Sequence, residues 1–226
     1  MTRLAPDDWL VYGCRTRYCV EVLEILWRRG DRVAALVDNL AGVPIESTWA
    51  RVVTPATLGP EDHVCPVVVP LLTPGFRYTV AREARAGGFS RFPVLLDPTA
   101  VVARTAELAE GTVVNAMAVI GGASQLGRFV HVNRSASLGH DLLAEDFVTF
   151  GPACVVAGGV HVQRGAFIGA GAVCSPEVSI GANSVVGAGA VVVRDVAPGA
   201  VVVGNPASEI RRVAGYGNAT VPEAIG

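Results

Sequence analysis

The chain has 226 residues, which is enough for one large domain or two small ones. Apolar residues make up 51% and charged residues 17% of it, so much of the chain must be buried, yet no run approaches the roughly 18 uninterrupted apolar residues of a membrane helix. The net charge is -2 and the sequence contains no run of basic residues, so neither a membrane nor nucleic acid is expected as a partner.

Cysteine usage and the first residues indicate the compartment. The five cysteines are odd in number and form no C-x-x-C, which argues against a disulfide framework and against a zinc site. Asp7 and Asp8 follow closely behind Arg3, so no basic segment leads into an apolar one. We therefore expect no signal peptide and predict a cytoplasmic protein.

The first part of the chain, from Leu4 to about Leu96, alternates strand and helix patterns. We predict strands at 9–12, 33–37, 64–69 and 92–96 and helices at 18–29 and 76–86. A turn at 13–17 follows the first strand, and a loop at 42–44 follows the second. This alternation predicts a small Rossmann-like α/β domain with a parallel sheet over residues 1–97. Such sheets bind ligands beyond the carboxyl ends of their strands, where Gly13, Arg15 and Asp38 would meet.

The next part of the chain is a repeat. Asp97-Pro98 marks the predicted boundary, and the 96 residues from Val102 to Ala197 divide by six into sixteen hexads without an insertion. Each hexad opens with an apolar residue, and four residues further on stands a small side chain, with Leu142 the exception. This period predicts a left-handed parallel β-helix of triangular section over residues 98–206, with three hexads in each coil of 18 residues.

Two details of the repeat and of the segment after it are predicted from residue type. The residue after each hexad opener is often Gly or Asn, which predicts that this position has the positive φ of a sharp corner. Gly204-Asn205-Pro206 predicts a turn after the last coil. The remaining residues, 207–226, are predicted to form a C-terminal tail with one short helix at 209–213 and otherwise to fray.

The segments "LGHD", "IGAGAV", "IGANSVVGAGAVVVRDV" and "VVVGNPA" resemble the left-handed β-helix acyltransferases. The chain as a whole resembles the sialic acid O-acetyltransferases (NeuD) and sugar N-acetyltransferases (PglD). This resemblance implies that the N-terminal domain holds the nucleotide of a nucleotide-linked sugar, and it adds Arg77 as a substrate contact. The turn at 13–17 keeps only one glycine of the family's glycine-rich turn, so Arg15 and Arg17 would contact phosphate with their side chains instead.

His140 is the predicted catalytic residue. It is the third residue of its hexad, so its side chain points outward beside Asp141, with Gly122 one coil below and Gly158 one coil above. An imidazole in a groove bordered by small residues suits general-base catalysis, and the adjacent carboxylate would hold its tautomer. The resemblance implies the same two roles for His140 and Asp141. The alternative is a surface histidine at a subunit seam, without chemistry.

Acetyl-CoA is the expected donor, because a pantetheine arm fits a groove parallel to the prism axis where two prisms meet. The resemblance places donor contacts at Ala170 and Ala188, and a backbone amide near Gly158 would stabilise the oxyanion. Thr149 stands one coil above His131, where the family often has a second histidine that touches the acyl donor, and it would give the thioester carbonyl one hydrogen bond. Because the groove needs two subunits, we expect a homotrimer.

Three histidines in the repeat, at 131, 140 and 161, raise the possibility of zinc, which related prism-shaped enzymes bind across a subunit seam. His140 occupies a different hexad position from the other two, so no metal site is predicted. The preferred function is acetylation of the amine of a nucleotide-linked amino sugar. Two alternatives stay open: acetylation of a sugar or sialic-acid-type hydroxyl, and a non-catalytic trimer that binds nucleotide sugars or serves as a scaffold.

Overall fold

The computed structural model describes residues 5, 7–43 and 45–223. Its first part is a parallel sheet of four strands in the order β3-β2-β1-β4, with two helices. The elements are β1 (Trp9–Tyr12), α1 (Cys19–Arg29), β2 (Val33–Val37), β3 (Val52–Val53), β4 (Val67–Val68) and α2 (Pro74–Ala86). The predicted α/β unit is therefore present. Leu4 and Pro44, at the edges of predicted elements, lie outside the described residues.

Both helices form for reasons that the sequence carries. In α1 the apolar residues at helical spacing, among them Val22, Leu23 and Leu26, are buried against the sheet, and Gly30 ends the helix in the left-handed conformation at φ 77°. Pro74 opens α2 at its first position, where a missing N–H costs nothing. Of the helices that the structure describes, none has the length and apolar character to cross a bilayer.

Short strands, of two residues each except for β22, build the second part into a prism with three faces. Face 1 consists of β5 (Leu95–Leu96), β8 (Val113–Val114), β11 (His131–Val132), β14 (Thr149–Phe150), β17 (Phe167–Ile168), β20 (Val185–Val186) and β22 (Ala200–Val203). Face 2 consists of β6 (Val101–Val102), β9 (Val119–Ile120), β12 (Ser137–Leu138), β15 (Val155–Val156), β18 (Val173–Cys174) and β21 (Val191–Val192). Face 3 consists of β7 (Glu107–Leu108), β10 (Gln125–Leu126), β13 (Leu143–Ala144), β16 (His161–Val162) and β19 (Ser179–Ile180).

The register confirms the period of 18. His131 lies opposite Thr149, and Val132 lies opposite Phe150, in parallel ladders that repeat from coil to coil. The hexad openers and the small residues four places on fill one continuous core; Phe150 and Ala166 are fully buried in it. The chain therefore has the predicted mixed fold, a small α/β domain followed by a left-handed parallel β-helix.

The prediction for the corner glycines is wrong about position. From Gly111 to Gly189 positive φ falls on the fourth residue of each hexad, including Asp141 at 54°, and not on the residue after the opener. The glycines after the opener have another cause. A Cβ on Gly121 would lie 2.6 Å from the carbonyl carbon of Gly139, and a Cβ on Gly139 would lie 2.6 Å from the nitrogen of Gly158. Neighbouring coils approach too closely there for a side chain.

The last strand predicted for the N-terminal sheet belongs to the prism instead. Leu95 and Leu96 pair with Val113 and Val114, so β5 starts face 1. The open edge of β8 offers ladder hydrogen bonds that the strand can satisfy there. The N-terminal domain packs on this same face, because outward-facing Val113 is buried in one apolar cluster with α1 residues. The two predicted domains therefore share part of their core.

The helix predicted at 209–213 is also wrong. Residues Ser208–Arg212 form β23, which pairs antiparallel with β22. The last strand of face 1 would otherwise expose unpaired backbone groups, and pairing satisfies them. The tail does not fray before residue 223: Tyr216 stacks on Phe167 with ring centroids 3.8 Å apart, and Val221 exchanges two hydrogen bonds with the side chain of Asn183. Residues 224–226 lie outside the described part.

His131 is a buried histidine between α1 and face 1. Neither of its ring nitrogens has a hydrogen-bond partner among the described residues, and the Tyr18 ring lies 5.8 Å away. Burial lowers the pKa of His131 well below its usual value, and the nearby charge of Arg77 lowers it further. Burial also raises the pKa of Tyr18 to about 12, so its hydroxyl stays neutral. The native fold therefore holds an imidazole that must stay uncharged.

His131 should make the protein less stable in acid. At a pH above the unfolded-state value of about 6.5 the ring is neutral in both states, and below it only the unfolded chain binds the proton. We expect the free energy of unfolding to fall by up to about 1.4 kcal/mol per pH unit from this group. Urea unfolding from about pH 7 to about pH 5 should show a shallower fall in His131→Phe and no such change in His161→Gln. A His131→Phe curve parallel to wild type would contradict this.

Candidate active site

His140 and Asp141 lie at the corner between faces 2 and 3, directly after β12; we call this the His140 corner. Both side chains point outward, as predicted, with 74% of the His140 side chain and 64% of the Asp141 side chain exposed. His140 Nδ1 lies 2.6 Å from Asp141 Oδ2. A neutral ring that donates its Nδ1–H to this carboxylate carries its lone pair on Nε2. Nε2 is therefore the atom available to accept a proton.

Gly158 borders the free edge of the His140 ring. A Cβ on Gly158 would lie 2.6 Å from both Cε1 and Nε2 of His140. One coil below, a Cβ on Gly122 would meet only Thr105 Oγ1, at 3.1 Å. A backbone hydrogen bond joins the two coils at this point, because Gly159 N donates to His140 O at 3.0 Å. The small residues predicted on either side of His140 are therefore in place, and Gly158 is the one next to Nε2.

Gly158→Leu should close this groove. The new side chain would occupy the space at Nε2 and push the imidazole aside, so we expect any reaction that uses His140 as its base to slow by roughly 10² or more, the range for a displaced general base. The backbone of Gly158 does not have positive φ, so the variant should still fold. Arg104→Leu, in the same column two coils below His140, is the matched control for a new exposed leucine. Full activity of Gly158→Leu in a rate assay would place the groove elsewhere.

Ala170 and Ala188 lie at a different corner, between faces 1 and 2, which we call the Ala170 corner. Both are exposed, and the residues after them, Gly171 and Gly189, have φ of 64° and 67° and open space where a Cβ would be. Nothing there obstructs a long thin ligand arm. Within one subunit, however, face 2 separates this corner from His140, so the two halves of the predicted groove do not meet in one chain.

Thr149 does not reach the predicted groove, and its assignment as a donor contact is wrong. It is buried on face 1 beneath the N-terminal domain. Its Oγ1 donates to Leu72 O at 2.7 Å and accepts from Arg77 Nη2 at 3.0 Å. Both of these partners belong to the N-terminal domain, whose docking could not be read from the repeat. The hydroxyl therefore has no capacity to serve a thioester carbonyl.

Arg77 is likewise not a substrate contact, because its side chain is fully buried. Burial lowers its pKa to about 9. Its three nitrogens donate at 2.6 to 3.1 Å to backbone carbonyls of both domains and to one hydroxyl, namely Leu71, Leu72, Phe129, Phe147, Val148 and Thr149. The guanidinium thus ties α2 to the corner between faces 3 and 1. It has a structural function where the resemblance implied a binding one.

Gly13, Arg15 and Asp38 do meet at the carboxyl ends of β1 and β2. Gly13 has φ 87°, which the turn requires. Arg15 donates through Nε and Nη2 to the two oxygens of Asp38, at 2.7 Å each, and through Nη2 to Val43 O at 2.8 Å. The hydrogen bond from Arg15 lowers the pKa of Asp38, which keeps that carboxylate ionised.

Two clefts flank this ion pair. One, of about 400 Å³, is lined by Gly13, Asn39, Phe76, Thr79 and Glu83 among others; the other, of about 560 Å³, includes Cys14, Arg17, Ile45 and Trp49. Arg15 lines both. Carboxylates can accept hydrogen bonds from ribose hydroxyls, and arginines can donate to phosphate, so the region has the chemistry that a nucleotide requires.

Glu83 is a member of this region that sequence reasoning missed. It accepts hydrogen bonds from Tyr12 Oη at 3.0 Å and Asn39 Nδ2 at 2.7 Å. Burial and this carboxylate raise the pKa of Tyr12. In the sequence, Glu83 lies on a predicted helix between two arginines, a pattern typical of a solvent-exposed helix face, so nothing in the sequence pointed to a binding function.

The described residues hold no group of three or more histidine, cysteine and acidic side chains placed to bind a metal ion. The three histidines of the repeat lie in three different places. His131 is buried on face 1, His140 lies at its exposed corner, and His161 lies on face 3 with Nε2 at 2.9 Å from Glu145 Oε1.

No protein-family model and no curated protein matches the chain. Solved structures do. A histidine-to-asparagine variant of perosamine N-acetyltransferase from Caulobacter crescentus, in complex with CoA and GDP-perosamine, is 31% identical over 93% of this chain and 100% of its own, with a TM-score of 0.84. The acetyltransferase domain of PglB from Neisseria gonorrhoeae, with acetyl coenzyme A, is 29% identical over 90% and 98%, with a TM-score of 0.81. WeeI from Acinetobacter baumannii is 25% identical over 90% and 99%, with a TM-score of 0.79.

Proposed function

Because this chain belongs to the hexapeptide-repeat, left-handed β-helix sugar N-acetyltransferases, we propose that it moves the acetyl group of acetyl-CoA to the amine of a nucleotide-linked amino sugar. The chain is an acyltransferase. The observation that carries the proposal is the exposed His140–Asp141 pair beside Gly158. A fold match over nearly the whole chain to an enzyme bound to CoA and GDP-perosamine supports the choice of donor and acceptor.

His140 acts as the general base. Its Nε2 accepts the proton of the acceptor amine as that nitrogen attacks the thioester carbonyl, and Asp141 stabilises the imidazolium that forms. The new C–N bond replaces the C–S bond, and His140 returns the proton to the leaving CoA sulfur. Gly159 N already donates to His140 O, whereas no hydrogen bond of Gly158 N is found within the described ranges. Gly158 N–H is thus the proposed donor to the oxyanion.

A trimer would complete the site, and face 2 supports this assembly. Its outward residues include a column of exposed valines, 37 to 60% accessible, namely Val101, Val119, Val155 and Val173. Only Ser137 interrupts this column, and exposed apolar side chains gathered on one face mark an interaction surface. Three such faces around a three-fold axis parallel to the prisms would bring the His140 corner of one subunit against the Ala170 corner of the next. Acetyl-CoA would lie along that seam.

The same arrangement would give a binding site to both ends of the acceptor, the nucleotide and the amino sugar. Face 1, with the N-terminal domain, adjoins the Ala170 corner, whereas the His140 corner is the vertex opposite face 1. In one chain the nucleotide clefts and His140 are therefore on opposite sides of the prism. Across a seam, the N-terminal domain of one subunit would hold the nucleotide while His140 of its neighbour receives the amino sugar.

Free-thiol release from acetyl-CoA with a panel of nucleotide-linked sugars tests the proposal. Turnover is expected with a free amine and not with the hydroxyl analogue; the reverse would favour an O-acetyltransferase. Nucleotide binding without any turnover would favour the non-catalytic trimer. Light scattering should give a mass of about three times the 23.4 kDa of one chain, and a monomer with full activity would contradict the shared site.

A further inference from the structure

Arg134 connects the prism to the N-terminal domain beside the Ala170 corner. Its Nη1 donates to Glu21 Oε1 at 2.7 Å, and 53% of its side chain is exposed. Glu21 lies in the first turn of α1, four residues after Arg17 of the turn at the nucleotide clefts. Arg134 belongs to the same column as Ala170, two coils below it, and it is the one charged residue in that column, which reads Pro98, Ala116, Arg134, Pro152, Ala170 and Ala188.

The winding of the prism sets the height of Arg134 relative to His140. Adjacent strands lie about 4.8 Å apart, so an 18-residue coil rises by that amount, and the six residues from Arg134 to His140 rise by about 1.6 Å. Rotation about an axis parallel to the prism changes no heights. In the proposed trimer, Arg134 of one subunit therefore faces the seam at the level of its neighbour's His140.

We propose that Arg134 binds the diphosphate of the nucleotide-linked acceptor, an inference that rests on the proposed function. The nucleoside end of that ligand belongs to the N-terminal domain and the amine belongs at His140, so its two negative charges must lie between them. Arg134 occupies this intermediate place, since it contacts α1 and stands at the height of His140. Its planar guanidinium can donate two parallel hydrogen bonds to phosphate oxygens.

A purely structural explanation is that Arg134 only braces α1 through Glu21. Exposed ion pairs of this kind contribute little to stability, so a bracing function would be weak. The two explanations differ in what the loss of each partner does. Glu21→Gln removes the ion pair but keeps the cation, whereas Arg134→Gln removes both.

Calorimetric titration of the full-length protein with UDP, GDP, uridine, guanosine and CoA separates the explanations. Arg134→Gln should raise the Kd for the nucleoside diphosphate by about 10-fold or more, as expected for lost hydrogen bonds to a charged group. The Kd for the nucleoside and for CoA should not change, because the CoA contacts proposed at the Ala170 corner lie two coils or more above Arg134. The KM for the acceptor should rise with the diphosphate Kd.

Glu21→Gln is the matched control and should bind the diphosphate as tightly as wild type. Equal weakening in Glu21→Gln and Arg134→Gln would show that Arg134 only braces α1, and would overturn the inference. Wild-type diphosphate affinity in Arg134→Gln would overturn it too. If the wild-type protein itself binds neither UDP nor GDP, the proposed acceptor class fails first, and the inference fails with it.

Discussion

His140→Ala is expected to lower kcat for acetyl transfer by roughly 10² to 10⁴, the usual effect of a lost general base. Nε2 of His140 lies beside Gly158, and Asp141 pairs with the other ring nitrogen. CoA binding should change little, because the proposed donor contacts lie at the Ala170 corner. Initial rates with saturating acetyl-CoA and acceptor, together with CoA titration, measure both effects.

His161→Ala is the matched control for this variant. His161 also pairs with a carboxylate, Glu145, at 2.9 Å, but it lies on face 3 away from the proposed seam. We expect its activity to equal that of wild type. A His140→Ala enzyme with an unchanged rate would end the assignment of His140 as the base, whatever the effect of the control.

Arg77→Met is expected to destabilise the protein by about 3 kcal/mol or more, because breaking a buried network leaves its other members unsatisfied. The methionine fills much of the volume but leaves carbonyls such as those of Phe129, Phe147 and Leu71 without their buried donor. Because these carbonyls come from both domains, the docking of α2 on the prism should weaken first. Urea unfolding at neutral pH measures the loss.

Arg82→Met, an exposed arginine on the same helix, should cost less than about 1 kcal/mol. Its Nη1 donates to Tyr78 Oη at 3.3 Å, and its guanidinium lies 5.5 Å from the centre of the same ring. If Arg77→Met kept wild-type stability and instead lost nucleotide affinity, the structural assignment of Arg77 would be wrong and its sequence-based assignment as a substrate contact would return.

The prism and the orientation of His140 could be predicted because both follow from local periodicity. A period of six fixes which residues point inward, and a coil of 18 fixes the vertical neighbours. Placing Gly158 over His140 therefore needed no knowledge of long-range packing. The alternation of strand and helix patterns predicted β1, β2 and β4 of the N-terminal sheet in the same way, together with the meeting of Gly13, Arg15 and Asp38; β3, which has only two residues, was not predicted.

The errors concern contacts between distant parts of the chain. Arg77 and Thr149 look like site residues until the N-terminal domain covers face 1, and no pattern in the sequence states which face it covers. Likewise, Leu95–Leu96 and Ser208–Arg212 form strands because open ladder edges of the prism accept them. Glycine after the hexad opener was predicted to provide positive φ, but it is needed there because the next coil approaches too closely for a side chain.

Mass spectrometry of the acceptor after incubation with acetyl-CoA tests most directly whether His140 serves acetyl transfer to an amine. The wild-type enzyme should add one acetyl group to the amine of a nucleotide-linked amino sugar and release one CoA thiol for each acetyl group, while His140→Ala should leave nearly all of the acceptor unmodified under the same conditions. Acetylation by His140→Ala at the wild-type rate, or an acceptor that binds to the wild-type protein together with acetyl-CoA and stays unmodified, would contradict it.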